Sequence, residues 1–253
     1  EKMASLGELT AGIAHEIQNP LNFVNNFAEV SIELADELVE GVAAGDTPSV
    51  LALSADLRQN MTHIVRNGQR ASSIVRSMLE HSRSSTDERR PTDLNALADE
   101  YLKLAYHGMR AKDSSFNAQL VTDFDPALLP VEVSAQEIGR VLLNVYNNAF
   151  YAVREQQAGQ NGTYKPVVSV RTRRQGNLME LRVRDNGMGI PESVREKIFQ
   201  PFFTTKPAGE GTGMGLSLSY DIITSGYGGE IHVDSEGGLY TEIYIGLPVN
   251  PLP

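Results

Sequence analysis

The 253-residue sequence contains no cysteine, which excludes disulfide bridges and thiolate metal sites and is compatible with a cytoplasmic location. It also lacks any run of about 18 apolar residues, the length that a membrane-spanning helix needs, and no secretion signal opens it. Basic residues are few, since 22 Lys and Arg stand against 32 Asp and Glu for a formal net charge of −10. This balance argues against a nucleic-acid-binding protein, which needs a basic face. We therefore expect a cytoplasmic portion that contacts neither nucleic acid nor membrane.

The chain begins at Glu1, inside a stretch with the pattern of a helix. We therefore expect it to be part of a longer protein, whose upstream region could include membrane spans. Apolar residues make up 41% of the chain, which is typical of a globular protein with a core. The length suits one large domain or two ordinary ones.

The first 85 residues have the apolar spacing of two long helices. In each helix, core positions recur at alternating intervals of four and three, which are the a and d positions of a heptad. Gly41, Gly45 and Pro48 lie between the two stripes and predict a turn. A lone hairpin buries such stripes poorly, so we expect two copies to pair as a homodimeric four-helix bundle. The first stripe is Leu6, Thr10, Ile13, Ile17, Pro20, Val24, Phe27, Ser31, Leu34 and Leu38, and the second is Leu57, Met61, Ile64, Gly68, Ala71, Val75 and Met78.

A polar stretch that ends in proline, residues 82–92, separates this hairpin from a region of mixed pattern. We assign residues 1–85 to the hairpin, 86–92 to a linker and 93–253 to a second domain. Ser134 followed by Glu137 predicts a capping box at the start of a long helix. The second domain is expected to be an α+β sandwich with helices on one face of a mixed sheet. Helices are predicted over 93–112, 134–157 and 213–225, and strands over 116–123, 167–173, 178–184, 230–234 and 240–247.

His15 is the first candidate for chemistry. With Ile13 at position d and Ile17 at position a, His15 falls at position f, which faces away from the seam. That register argues against a buried structural histidine, although a solvated surface histidine remains an alternative. A neutral imidazole is a nucleophile near pH 7.

Three neighbours of His15 suit a phosphoryl acceptor. The carboxylate of Glu16 can hold the second ring nitrogen and so fix the tautomer. Asn19 lies one helical turn further on the same face, where an amide could orient water for attack on a phosphoryl group. Pro20 interrupts the helical hydrogen bonding and is expected to kink the helix.

Two further segments carry polar groups that suit a nucleotide. Asn144 and Asn148 are four residues apart on one helix face, and an amide oxygen there can bind Mg²⁺, although asparagine pairs also cap and bridge. Asp185 could accept a hydrogen bond from an exocyclic amine such as that of adenine. Gly187 and Gly189 would let the backbone approach the base, and a simple turn at the end of a strand is an equal alternative.

A third segment, residues 209–217, is rich in glycine and precedes a helix. Backbone N–H groups at a helix start can cradle phosphates, and a flexible loop is the alternative. The segment lacks the Gly-Lys-Ser/Thr ending of a Walker loop. Lys206, just before it, could reach the phosphates as a point charge.

In their order and spacing, these motifs resemble the two-component sensor histidine kinases over essentially the whole chain. The segment around His15 matches the phosphoacceptor box, and Asn144 with Asn148 matches the asparagine box. Residues 185–189, 198–206 and 211–215 match the first glycine box, the phenylalanine box and the second glycine box. The second domain would then be a Bergerat-type ATP-binding domain of the gyrase, chaperone, kinase and MutL superfamily. The sequence Pro-Phe-Phe-Thr-Thr-Lys-Pro resembles the nitrogen-regulation-like subgroup.

The resemblance implies a role for each of these residues. Asn148 would hold Mg²⁺ against the phosphates, and Asp185 would select adenine, with Thr241 near the same pocket. Asn144 stands where ATPase relatives have a glutamate that activates water, so an amide there fits a protein that keeps the phosphoryl group for histidine. Residues 200–212 would be a mobile lid. The implied nucleotide contacts are Asn144, Asn148, Tyr151, Asp185, Gly187, Gly189, Ile190, Lys206, Gly211, Thr212, Gly213, Met214, Gly215, Leu216 and Thr241.

The sequence departs from the family pattern at three places. Many relatives have a lysine where this chain has Tyr151, and Arg154 lies one turn further on. Many relatives read His-Gly-Gly where Tyr227 and two glycines stand here. The usual Gly-x-Gly-Thr of the last hairpin becomes Gly-Leu-Tyr-Thr at 238–241.

We therefore expect an ATP- and Mg²⁺-dependent protein-histidine kinase. It would phosphorylate itself on His15 with help from Glu16, and pass the phosphoryl group to an aspartate of a response-regulator receiver domain. Asn19 would support regulator dephosphorylation. One alternative is an ATP-hydrolysing enzyme of the same superfamily, against which Asn144 counts. The other is a catalytically degenerate dimeric scaffold that binds nucleotide or a receiver domain, which Tyr151 favours.

Overall fold

The computed structural model of the chain describes residues 2–82, 88–160, 162–207 and 211–249, and for residues 2–13, 15 and 76–82 it describes the backbone alone. These residues form two compact units. The first contains the two N-terminal helices together with the segment Thr204–Thr212, and the second contains the rest of the described chain. None of the described helices is long and apolar enough to cross a membrane.

The first unit is a hairpin of two long helices, α1 (Lys2–Ala44) and α2 (Thr47–Ser82). The predicted turn is present but shorter than expected, because α1 continues through Gly41 and ends just before Gly45, which has a φ of 72°. The carboxylate of Asp46 caps the start of α2 by accepting from the N–H of Ser49 at 3.3 Å, and it also accepts from the Ser49 hydroxyl at 2.6 Å. Pro48 lies in the first turn of α2, where its missing N–H removes no helical bond.

The stripe predicted for α1 is confirmed between residues 17 and 38, where every member is buried or half-buried. The side chains of Leu6, Thr10 and Ile13 lie outside the described part of the structure. In the single chain, Met61 and Val75 of the stripe predicted for α2 are exposed, and the side chain of Met78 lies outside the described part of the structure. The structure separates that stripe into two rows. The inner row, which is buried or half-buried, is Leu53, Leu57, Asn60, Ile64, Asn67, Ala71 and Ile74.

Each hairpin helix also carries an outer row of apolar side chains one residue after its inner row. A step of one residue turns the direction of a helical side chain by about 100°. Since α1 and α2 are antiparallel, that turn moves both outer rows to the same side of the hairpin. The exposed members of this outer face are Leu21, Ile32, Val39 and Val42 on α1, and Leu51, Met61, Val65 and Val75 on α2.

The second unit is built on a five-stranded mixed sheet with the order β2-β4-β5-β7-β6, in which only β2 and β4 are parallel among the described pairs. Helices α3 and α4 cover one face, and the core lies between them and the sheet, so the predicted α+β architecture is confirmed. The elements are β1 (Arg90–Thr92), α3 (Leu94–Lys112), β2 (Gln119–Asp123), β3 (Val131–Val133), α4 (Ala135–Gly159), β4 (Val167–Gln175), β5 (Leu178–Asp185), α5 (Glu192–Arg195), α6 (Gly215–Asp221), a π-helical turn (Ile222–Gly226), β6 (Glu230–Glu236) and β7 (Tyr240–Pro248).

Three short elements were not predicted. Strands β1 and β3 pair as a separate two-stranded sheet, so the end of the expected linker is a strand. Helix α5 follows the first glycine segment. The helix expected over 213–225 is shorter than predicted, because it ends at Asp221 and continues as a π-helical turn. Elements of three to five residues are too short to show a period.

The capping box at the start of α4 is present in an altered form. The hydroxyl of Ser134 accepts from the N–H of Glu137 at 3.2 Å, as predicted. The carboxylate of Glu137 instead accepts from the hydroxyl of Tyr227 at 2.5 Å, and that hydroxyl accepts from the N–H of Ser134 at 2.9 Å. Burial raises the pKa of Tyr227. The tyrosine therefore joins the π-helical turn to the start of the helix that carries the two asparagines.

Candidate functional site

One face of α4 connects both glycine-rich segments of the second unit. The amide nitrogen of Asn144 donates to the carbonyl of Gly215, the first residue of α6, at 3.0 Å. Two turns along the same face, Ala152 lies against Gly187, where an added Cβ would be 2.5 Å from the Ala152 carbonyl carbon. Asn148 is half-buried between these two contacts. The face spans about 12 Å, since eight residues each rise 1.5 Å.

Asp185 is the buried acid of this site. It ends β5 with 5% of its surface exposed, and its carboxylate accepts from the N–H of Gly187 at 2.9 Å. Burial raises the pKa of Asp185 to about 7, although backbone hydrogen bonds from Gly187 and Thr241 and the charge of Arg184 act in the opposite direction. A buried carboxylate of this kind is stabilised when a ligand donates a further hydrogen bond to it.

The loop after Asp185 is packed too tightly for side chains at its glycines. Gly189 has a φ of 67°, and a Cβ there would overlap the carbonyl oxygen of Glu236. The N–H of Ile190 donates to the hydroxyl of Ser235 at 2.8 Å, and Gly238 donates to the carbonyl of Met188 at 2.6 Å. The loop is thereby fixed between α4 and the β6–β7 hairpin.

Replacing Gly189 with alanine is expected to destabilise the protein by about 3 kcal/mol or more, because the new Cβ meets a backbone carbonyl and cannot relax. Gly238 is the matched control, since it has a φ of 83° in the neighbouring turn but open space at its Cβ. Gly238→Ala carries the backbone strain alone, about 1–2 kcal/mol. Urea unfolding of both variants measures the difference, and equal losses would contradict the packing argument.

Thr241 lies beside Asp185 across the sheet, as their register on β7 and β5 shows, and it is 7% exposed. Its hydroxyl is 3.1 Å from the hydroxyl of Ser235 on β6. Ser235 was not among the predicted site residues. A signal was present, because alternation along β6 places Ser235 on the same face as Ile231 and Val233, where a polar residue is unexpected.

The second glycine segment is divided between the two units. Gly213, Met214, Gly215 and Leu216 belong to the second unit, where Gly213 has a φ of 68° and packs directly on the backbone of Phe202. Met214 is buried. A Cβ added at Gly215 would lie 3.3 Å from the side chain of Asn144. Lys206, Gly211 and Thr212 lie in the segment that is grouped with the first unit, and all three are half-buried.

Tyr151 is half-buried on α4 next to Arg154. The guanidinium of Arg154 lies 5.2 Å from the centre of the Tyr151 ring and pairs with Glu155 at 2.8 Å. The position where the family resemblance leads us to expect lysine thus carries a phenol, with an arginine beside it.

The segment around His15 lies on α1. The backbone of His15 is helical, and its side chain lies outside the described part of the structure. Glu16 forms an ion pair with Arg70 of α2 at 3.5 Å, with 29% and 28% of the two side chains exposed. Asn19 is half-buried, and α1 continues through Pro20, which is buried. Sequence spacing did not indicate Arg70 as a partner of Glu16, because Arg70 is on the other helix.

Two family models match the chain. Residues 5–87 match the His Kinase A (phospho-acceptor) domain. Residues 134–251 match the histidine kinase-, DNA gyrase B-, and HSP90-like ATPase domain. The two matches contain the hairpin and the α4-to-β7 portion of the second unit.

Curated relatives match along nearly the whole chain. The sensor histidine kinase ZraS of Escherichia coli K12 is 32% identical over 99% of this chain and 47% of its own length. The signal transduction histidine-protein kinase AtoS of the same strain is 28% identical over 99% of this chain and 36% of its own length. The chain thus spans about a third to a half of these relatives.

Among solved structures, the histidine kinase ThkA in complex with the response regulator protein TrrA is similar. It has a TM-score of 0.64 and 26% identity, over 99% of this chain and 64% of that one. This similarity extends through both units.

Proposed function

We propose, since this chain belongs to the two-component sensor histidine kinases, that it transfers the γ-phosphoryl group of ATP to His15 and then to an aspartate of a response regulator. The observation that carries the nucleotide site is the face of α4 on which Asn148 lies between the Asp185 loop and the start of α6. The location is proposed to be cytoplasmic, and membership of the nitrogen-regulation-like subgroup stays a prediction.

The second unit fits a nucleotide by its shape and its donor set. The buried carboxylate of Asp185 suits a base that carries an amine. Glycines at 187 and 189 leave no room for side chains next to it. Asn148 would provide the protein oxygen for Mg²⁺, a cation that binds few protein ligands and keeps its waters, and that would neutralise phosphate charge. Within the described residues, no cluster of three or more acidic or histidine side chains forms another metal site.

The transfer needs few protein groups. A lone pair of the His15 imidazole would form the nitrogen–phosphorus bond while the bond to the bridging oxygen breaks and ADP leaves. Glu16 would hold the proton of the other ring nitrogen, and Arg70 would keep the Glu16 carboxylate in place through their ion pair. Lys206 would add a positive charge for the phosphates, as the family resemblance implies. Catalysis would then depend on positioning and charge neutralisation.

The second transfer would take place on the hairpin. A receiver domain would dock beside His15, and its aspartate would accept the phosphoryl group. Asn19, one turn from His15, would orient water for the reverse task of dephosphorylating the regulator. The crystallised ThkA–TrrA complex supports this class of partner.

The test is incubation with ATP labelled at the γ-phosphorus. A histidine kinase gains a label that is lost in acid and kept in alkali, as expected for a phosphorus–nitrogen bond. An ATP-hydrolysing enzyme would release phosphate steadily without a labelled protein. A degenerate scaffold would bind ATP without either product.

The outer face of the hairpin supports a second copy of this chain as partner. Its eight large apolar side chains are 39–67% exposed in one copy. Burying them between two hairpins would give the four-helix bundle, because each helix would then contact two neighbours through two separate rows.

Replacing Met61 and Val65 together with lysine is expected to give monomers, since four charges would meet at the centre of the dimer face. Light scattering after size exclusion at about 10 µM measures the mass, a concentration at which a stable dimer with Kd of about 1 µM or below stays associated. Gln59→Lys is the control, because Gln59 is exposed on the same helix outside both rows. A double variant that remains dimeric would contradict the assignment of this face.

A further inference from the structure

Three buried polar residues lie side by side across the end of the sheet. Asp185 on β5 pairs in register with Thr241 on β7, and Thr241 pairs with Ser235 on β6. Their exposed fractions are 5%, 7% and 3%. Register partners on neighbouring strands point to the same face, so the three side chains form one row at the base of the candidate nucleotide site.

The hydroxyl of Ser235 has a complete set of hydrogen bonds. Its proton must go to the carbonyl of Tyr240 at 2.7 Å, because a carbonyl cannot donate. The N–H of Ile190 donates to its oxygen at 2.8 Å. One lone pair remains, and Thr241 is 3.1 Å away.

It follows that Thr241 is the donor in this pair. Since Ser235 has already given its own proton, the contact between the two hydroxyls forms only if the proton of Thr241 points to Ser235. The hydroxyl of Thr241 can then accept a hydrogen bond from a ligand but cannot donate one. The ionised carboxylate of Asp185 beside it is also an acceptor alone.

Arg195 of α5 helps to hold Ser235 in this arrangement. Its guanidinium donates to the carbonyl oxygen of Ser235. Ser235 is therefore fixed through both its backbone and its hydroxyl, and rotation of the hydroxyl would break a bond to Tyr240.

We propose that Ser235 is a positioning residue that sets the base specificity of the nucleotide site, by holding Thr241 as a hydrogen-bond acceptor beside Asp185. The inference rests on the proposed nucleotide binding. A purine with an amine at its 6-position can donate to this pair of acceptors. A purine with a carbonyl at the 6-position places a third acceptor against Thr241 and Asp185, so none of the three has a donor. Buried acceptors without a donor discriminate strongly between ligands.

The experiment compares ADP with IDP, which differ at the 6-position and in the proton on the adjacent ring nitrogen. Calorimetry at about pH 8, where the carboxyl of Asp185 is ionised, gives both affinities without phosphoryl transfer. In Ser235→Ala the hydroxyl of Thr241 is free to turn and donate to a carbonyl. We expect the affinity for IDP to rise. The ratio of ADP affinity to IDP affinity should then fall by about fivefold to tenfold, which corresponds to one hydrogen bond. Ser235→Thr keeps the hydroxyl and is expected to keep the preference.

A purely structural role for Ser235 would weaken both nucleotides and leave their ratio unchanged, and that result would overturn the inference. If Ser235→Ala does not fold, Thr241→Val tests the same arrangement. It is expected to weaken ADP and leave IDP unchanged, and equal losses for both would overturn the inference. Failure of the wild type to bind ADP or ATP would overturn the proposed function and this inference with it, whereas normal ADP binding with an unchanged ratio would overturn this inference alone.

Discussion

His15→Ala is expected to abolish the acid-labile label from ATP while ATP binding stays within about twofold of wild type. The label is lost because the nucleophile is gone. Binding is kept because Asn148, Asp185 and the two glycines of the Asp185 loop are in the second unit. The measurements are label incorporation after alkaline quench and calorimetry with ATP and Mg²⁺.

The other histidines provide matched controls for this variant. His107 and His232 are exposed in the second unit, and His63 packs against Phe27 with ring centres 4.6 Å apart. Alanine at each of these, and at His81, is expected to leave the label in place. Equal label on wild type and His15→Ala would disprove the acceptor assignment, whatever the controls show.

Asp185→Asn is expected to reduce ATP affinity by about 100-fold. The amide has a single acceptor oxygen, which the N–H of Gly187 already uses, so its NH2 group would face the adenine amine donor to donor. The same change is expected to stabilise the free protein at pH 8. The pKa of Asp185 is raised to about 7 from 3.8 by burial, so the folded state holds a proton that the unfolded chain releases between these values. The free energy of unfolding therefore falls as pH rises through this window, by at most about 4 kcal/mol.

Thermal unfolding from pH 4 to pH 8 tests the stability part. The gain of Asp185→Asn over wild type should be small at pH 4 and reach its maximum above pH 7. Asp234→Asn, an exposed acid on β6, should show no such trend. In the wild type, ATP affinity should fall as pH drops below 7, approaching tenfold per pH unit. A pH-independent affinity would mean that Asp185 does not bind the base as a carboxylate.

Local patterns explain which parts of the fold were predictable. The α1 stripe was predicted correctly because its apolar positions repeat for many turns and face one neighbour. The stripe predicted for α2 combines members of two rows, because Met61 and Val75 belong to the outer row and spacing alone averages two rows. The altered capping box depends on Tyr227, which is 90 residues from Glu137.

The site residues were also predictable only where the signal is local in the sequence. Asp185 and the glycines were visible as candidates because a carboxylate can accept from an amine and the glycines that follow it in the sequence allow a base to approach the backbone. Ser235 and Arg70 act through partners on other elements, and the sequence holds no measure of those distances. The face of α4 that joins Gly187 to Gly215 also required the folded chain, since the two glycines are on separate loops.

The hydrogen bond from Asn144 to the carbonyl of Gly215 bears on how readily such a domain could become a hydrolase. That carbonyl also accepts from the hydroxyl of Ser219 at 2.8 Å, so it is surrounded by donors. A glutamate at position 144, the residue that the ATPase relatives are expected to use on water, would place a carboxylate against this carbonyl and push α6 away from α4. Gaining the base would therefore cost one of the contacts that hold the second glycine segment, and we expect that a single exchange at this position would not produce an efficient hydrolase.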